Sequence, residues 1–126
     1  MTTENLLKEL EKCFEISGVI TQEKEHKIYL VTDILLPNND YIETILTIKR
    51  DNPKKIIISF ESLYNEIFIN RNKIKEVLKT IDPEIKKEEE SVYKTIPFGS
   101  PSEVKFYINE FAASVKTLVT IVNHFL

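Results

Sequence analysis

The sequence is poor in glycine, cysteine and arginine. Two glycines, Gly18 and Gly99, stand in 126 residues. That is too few for a Gly-rich phosphate cradle or a dinucleotide fingerprint, which need several positions free of Cβ. A single cysteine, Cys13, excludes an intrachain disulfide framework and a multi-Cys zinc site. Arg50 and Arg71 are the two arginines, and 20 Asp+Glu against 17 Lys+Arg leave a net charge of −3. This balance argues against a nucleic-acid partner, because affinity for phosphate backbones comes largely from Lys and Arg displacing counterions. The apolar runs, such as Ile34–Leu36 and Ile56–Ile58, fall far short of the ~20 residues of a membrane span. The start, Met1-Thr2-Thr3-Glu4, lacks the basic and apolar stretches of a secretion signal. The expectation is a cytoplasmic protein with no membrane, nucleic acid or cofactor.

What is present describes one α+β domain spanning residues 1–126, with 42% hydrophobic and 29% charged residues, an ordinary globular balance. Leu6, Leu10, Cys13 and Phe14 recur at helical spacing and predict a helix from Thr3 to about Ile16, with Gly18 as its left-handed stop. Cys13 reads as a small core residue, since no basic setting for a thiolate lies nearby. Strands are predicted at Val19–Gln22, Lys27–Leu35, Tyr41–Lys49 and Lys55–Phe60. The second follows the polar tip Glu23-Lys24-Glu25-His26, the third alternates cleanly, and the fourth is apolar enough to be covered on both faces. Asn and Asp in the intervening turns take the place of glycine. Glu61–Ile69 suits either a helical turn or a strand. Asn70 reads as the N-cap of a helix with Ile74, Val77, Leu78 and Ile81 inward, ended by Asp82-Pro83. Residues 84–90 read as a solvated connector and Val92–Phe98 as a strand. Ser100-Pro101-Ser102-Glu103 is a capping box. It opens a helix to the chain end whose residues Val104, Tyr107, Ile108, Phe111, Val115, Leu118, Val119, Val122, Phe125 and Leu126 form a stripe about 120° wide. The expected fold is an antiparallel meander sheet with N-terminal, middle and long C-terminal helices on one face and the other face half-solvated.

Two constellations bear on chemistry. Asp33, Asp40, Glu43 and Glu61 lie on or beside the predicted sheet, and converging carboxylates bind metal or act as acid and base. A metal-dependent nuclease would use such a set with a Glu-x-Lys strand, whose letters Glu25-His26-Lys27 supply, although in a polar turn. His26 and His124 have no His or Cys at ligand spacing, so no metal site is expected. The second constellation is on the last helix. Phe106 falls about 160° from the core stripe, with Ala113, Thr117, Thr120 and His124 near it. An isolated exposed Phe is ordinary, but one beside small residues on a second helix face suits a helix-to-helix contact. That contact would be a homodimer through this helix or a complex with a protein partner.

Leu36-Pro37-Asn38-Asn39-Asp40-Tyr41-Ile42, the strand to Ile48, Ile56-Ile57-Ile58-Ser59, the Arg71-Asn72-Lys73-Ile74 helix and the closing helix together resemble an uncharacterised bacterial and phage domain family of unknown function. The likeness covers roughly residues 30–126. The family's Asp-x-Gly after the strand is replaced here by Ser59-Phe60-Glu61, with Glu61 as the remaining acid. The order of elements is similar to that of type III secretion chaperones, which are small, acidic, cytoplasmic dimers, and this resemblance implies protein binding. The expectation is a small acidic, non-enzymatic protein-binding module. The first resemblance implies a phage or mobile-element origin, one form being a modulator of a host defence complex. A secretion-type chaperone is the first alternative and a metal-dependent carboxylate enzyme such as a nuclease the second.

Overall fold

A computed structural model describes residues 2–125. The first helix, α1 (Thr3–Glu11), opens where Thr2 Oγ1 accepts from the Asn5 amide at 3.2 Å. It buries Leu6 and Leu10 and ends earlier than its periodicity predicts. Glu15–Thr21 forms strand β1 instead, because β-branched Ile16 gains ladder bonds opposite Leu30 that a helix end leaves unmade. Gly18 therefore stops no helix. It pairs with Tyr29 inside the strand, where the register shifts, and it has no positive φ.

The sheet continues with β2 (Glu25–Leu35), β3 (Tyr41–Lys49) and β4 (Lys55–Phe60), then β5 (Lys86–Glu88) and β6 (Ser91–Pro97). Its order is β1-β2-β3-β4-β6-β5, antiparallel at every pairing. β3 and β4 have the predicted spans. β4 is covered on one face only: Ile56, Ile58 and Phe60 are buried, whereas Ile57 and Ser59 are half-buried. Glu25-His26-Lys27 begins β2 rather than forming the hairpin tip, with Lys49 paired to Glu25 at 3.1 Å and His26 Nδ1 bonded to Thr21 Oγ1. Part of the expected 84–90 connector is β5, whose Lys87 pairs with Val92 across a turn in which Glu89 takes a φ of 53°.

The ambiguous stretch holds one helical turn, α2 (Leu63–Glu66). A 3₁₀ turn at Arg71–Lys73 leads into α3 (Ile74–Ile81). Asn70 takes a left-handed φ of 57° and makes no side-chain cap there; its carbonyl accepts from the Lys73 amide. Asn39, in the β2–β3 turn, is left-handed too, at 70°, the geometry for which Asn is the best substitute for glycine. The last helix, α4 (Pro101–His124), starts with the Glu103 amide donating to Ser100 Oγ.

The structure is α+β, with the helices packed over one sheet face. α4 buries Val104, Ile108, Phe111, Ala112, Val115, Leu118, Val119 and Val122. They join Ile28, Leu30, Ile42, Leu46, Ile48, Ile56 and Ile58 from the strands in one core cluster. Each full burial of a large aliphatic side chain contributes about 1.5–3 kcal/mol. The opposite face is bare: Tyr29, Ile45, Ser59 and Tyr93 form one row across β2, β3, β4 and β6, and all but Ile45 remain half-exposed.

Three polar residues interrupt the core face: Thr32, whose hydroxyl donates to Ile42 O at 2.9 Å, Lys94 and Thr44. Lys94 lies between Val92 and Ile96 on β6 and donates to Asp82 Oδ2 at 2.7 Å, with Glu84 at 3.5 Å and Glu110 of α4 at 3.7 Å. Burial opposes its charge, but the Asp82 hydrogen bond and the three carboxylates prevail and hold the ammonium above the usual lysine range. A raised lysine stabilises the fold throughout neutral pH, and that contribution is lost only as pH rises through the raised value. Thr44 is fully buried and its hydroxyl has no partner among the described residues. Lys94→Met leaves Asp82, with 15% of its side chain exposed, without its cation, and is expected to cost about 2–3 kcal/mol in urea unfolding at pH 7. Thr44→Val removes the orphaned hydroxyl and is expected to add about 1 kcal/mol in the same assay.

Candidate functional site

A groove of about 400 Å³ is lined by Pro37, Asn38, Glu66, Phe68, Ile69, Val119, Asn123 and His124. Three parts of the chain meet there: the β2–β3 turn, α2 with the segment after it, and the last turns of α4.

The turn is held by its own backbone, Leu36 N–H donating to Asp40 O and Asn39 N–H to Leu36 O. Asn38 then serves as a connector. Its Oδ1 accepts from the Asp40 amide, and its Nδ2 donates to Asp40 Oδ2 at 3.1 Å and to Glu66 Oε2 at 3.0 Å. One neutral amide thus serves two carboxylates, and among the described residues neither carboxylate has a salt bridge. From the other side Asn123 Nδ2 donates to the Glu66 carbonyl at 2.6 Å, tying the end of α4 to α2; its buried Oδ1 has no partner among the described residues.

The segment after α2 is tightly held. Ile67 is fully buried. Arg71 donates from Nε to Ile67 O and from Nη2 to Tyr64 O while lying 4.3 Å over the Tyr64 ring. On this tethered backbone Phe68 and Ile69 are 72% and 56% exposed, and Phe125, next to His124, is 75% exposed.

Burial pushes the Glu66 carboxyl above the usual carboxylate range, the charge of Asp40 adds to this, and the Asn38 hydrogen bond opposes it. A raised carboxylate binds its proton more tightly folded than unfolded. Its ionisation therefore weakens the fold at neutral pH, and the penalty fades as pH falls through the raised value.

The structure distributes the sequence-predicted residues as follows. Phe106 is 60% exposed and meets Tyr107 edge-on at 5.7 Å. Ala113 and Thr117 are exposed on the same outer side of α4, and His124 lies at its far end on the groove, roughly 27 Å along the axis from Phe106 at 1.5 Å per residue. Phe125 leaves the core stripe because the helical path ends at His124; Leu126 lies outside the described residues. The four acids do not gather. Asp33 is exposed where β2 shifts register, Glu43 accepts from Ser17 on the bare face, and Glu61 follows β4 beside Glu89 and Glu90. Asp40 finds an unforeseen neighbour in Glu66. Among the described residues no group of three His, Cys, Asp or Glu could hold a metal ion. Cys13 is half-buried against the core. Phe68 and Ile69 escaped sequence reading because their segment matched neither period; the one available signal was the apolar run Ile67-Phe68-Ile69 between Glu66 and Asn70.

No protein family matches the chain, and no curated protein or solved structure is detectably similar to it. No helix among the described residues is long and apolar enough to cross a membrane. Glu66→Gln keeps the acceptor for Asn38 and removes the charge. It is expected to raise the melting temperature at pH 7, with the difference from wild type vanishing at pH 3.

Proposed function

We propose that this chain is a small acidic, non-enzymatic module that works by protein–protein contact, docking through the groove at the end of α4. The observation that carries this is the pair of large apolar side chains in the groove wall, Phe68 and Ile69, both more than half exposed. Contiguous exposed apolar surface on a folded chain marks interaction sites, and aromatic anchors dominate contact energies. The Arg71 hydrogen bonds to the Tyr64 and Ile67 carbonyls, which tether the backbone just before Phe68, favour a preformed surface, which loses less freedom on binding than a mobile one. A cytoplasmic setting is part of the proposal and rests on a lone cysteine that has no disulfide role.

Photo-cross-linking in the source cells tests the reading. With benzoylphenylalanine in place of Phe68, covalent protein adducts are expected; in place of Asp51, in the exposed β3–β4 turn, none are. If position 68 gives no more adduct than position 51, the groove is not a docking surface.

A further inference from the structure

We infer that the groove's occupant is a second copy of this chain: two α4 helices pack antiparallel along their outer sides, seating Phe106 of each copy in the groove beside His124 of the other. This rests on the docking reading above and names the partner.

The outer side of α4 carries Phe106, Glu110, Ala113, Thr117, Thr120 and His124, at alternating spacings of four and three residues. That is the seam by which two helices pack side by side. The seam is also palindromic about the level of Val115. Phe106 and His124 lie nine residues to either side, Glu110 and Thr120 five, Ala113 and Thr117 two. A twofold axis crossing α4 at that level brings each residue opposite its counterpart, as an isologous interface requires. The small residues then fall at the axis, where the backbones approach most closely. The Thr117 and Thr120 hydroxyls already donate to the Ala113 and Lys116 carbonyls at 2.9 and 2.8 Å, so covering them strands no donor. At the ends, an exposed ring meets a groove walled by Phe68 and Ile69.

Charge points the same way. Asp40 and Glu66 share one neutral amide and have no salt bridge among the described residues. Lys105, adjacent to Phe106, is exposed and lies on the flank of α4 that Asn123 shares. A twofold axis of this kind keeps that flank on one side of both helices, so Lys105 of one copy comes to the carboxylates of the other. The same geometry places Lys116 of both copies near the axis, a like-charge contact. A standard interface covers about 800 Å² per partner, roughly a tenth of this chain's 7387 Å² surface. The 24-residue helix is about 36 Å long and carries a groove at one end and a ring near the other.

Sedimentation equilibrium of the purified full chain, with far-UV circular dichroism to confirm folding, tests the inference. Wild type is expected at twice the 14.7 kDa chain mass. Phe106→Asp and Phe68→Asp, both at exposed positions, should each weaken association at least about tenfold. Lys105→Glu should weaken it by roughly fivefold, with Glu66→Lys in the same chain restoring it, and Lys116→Ala should strengthen it. In a Cys13→Ser background, Ala113→Cys mixed with Thr117→Cys should oxidise to an inter-copy disulfide. A monomer at every concentration overturns the inference, as does a dimer that lacks this disulfide or is indifferent to Phe106→Asp. A monomer that still cross-links another protein at position 68 leaves the docking reading standing without the self-association. A chain that forms no adduct there and ignores Phe68→Asp loses both.

Discussion

Everything else in this molecule is arranged around the seating of α4 on one face of the sheet. A sheet with an apolar face must bury it, and α4 does so against β2, β3, β4 and β6 while also meeting α1 and α3. Eight of its side chains are buried in that contact. Because a helix of this length has a single stripe committed to the core, its opposite side is left to solvent along its whole run. The surface available for partners is thus a direct consequence of how the core is made.

Polar fastenings then decide where the helix lies on the sheet. In its first half Glu110 joins the network around Lys94, which also gathers Asp82 and Glu84 from the end of α3. At its last turns Asn123 donates to the Glu66 carbonyl and ties α4 to α2. Buried polar contacts contribute less to net stability than apolar burial, because desolvation offsets much of their attraction. They are directional, however, and so specify which turn of α4 meets which strand. The Asn123 contact also closes one wall of the groove, so the residues that dock the helix are the ones that shape the candidate site.

The elements legible in the sequence are those in which local pattern and final environment agree. Tyr41–Lys49 alternates because one face is buried and the other is not, and Ser100 caps α4 through a contact three residues away. Errors fall where a non-local partner outweighed a local pattern. The helical spacing of Leu6, Leu10 and Phe14 is real, yet the chain turns at Lys12 because Glu15 and Ile16 pair with Val31 and Leu30. Lys87 lies in a charged run, yet it takes a strand place opposite Val92 and reaches the Tyr64 ring at 4.9 Å. Of the groove lining, His124 is the residue that helical angles had singled out. Phe68 and Ile69 were not, because exposure on a clamped, irregular segment has no period to betray it.

The sequence by itself determined the class of the domain, the course of its central strands and last helix, and the exclusion of phosphate-loop and multi-cysteine chemistry. These follow from side-chain type and short-range spacing, which act within a few residues. The scarcity of glycine also meant that left-handed turns would fall to other residues, as they do at Asn39 and Asn70. Only the tertiary structure decided that Asp40 would stand beside Glu66 rather than with Glu43 or Glu61, and that His124 would join a groove with residues more than fifty positions earlier. Those outcomes depend on how far α4 extends past the β2–β3 turn and α2. That reach is set by the packing of the whole stripe on the sheet together with the non-local contacts of Glu110 and Asn123, and by no local signal.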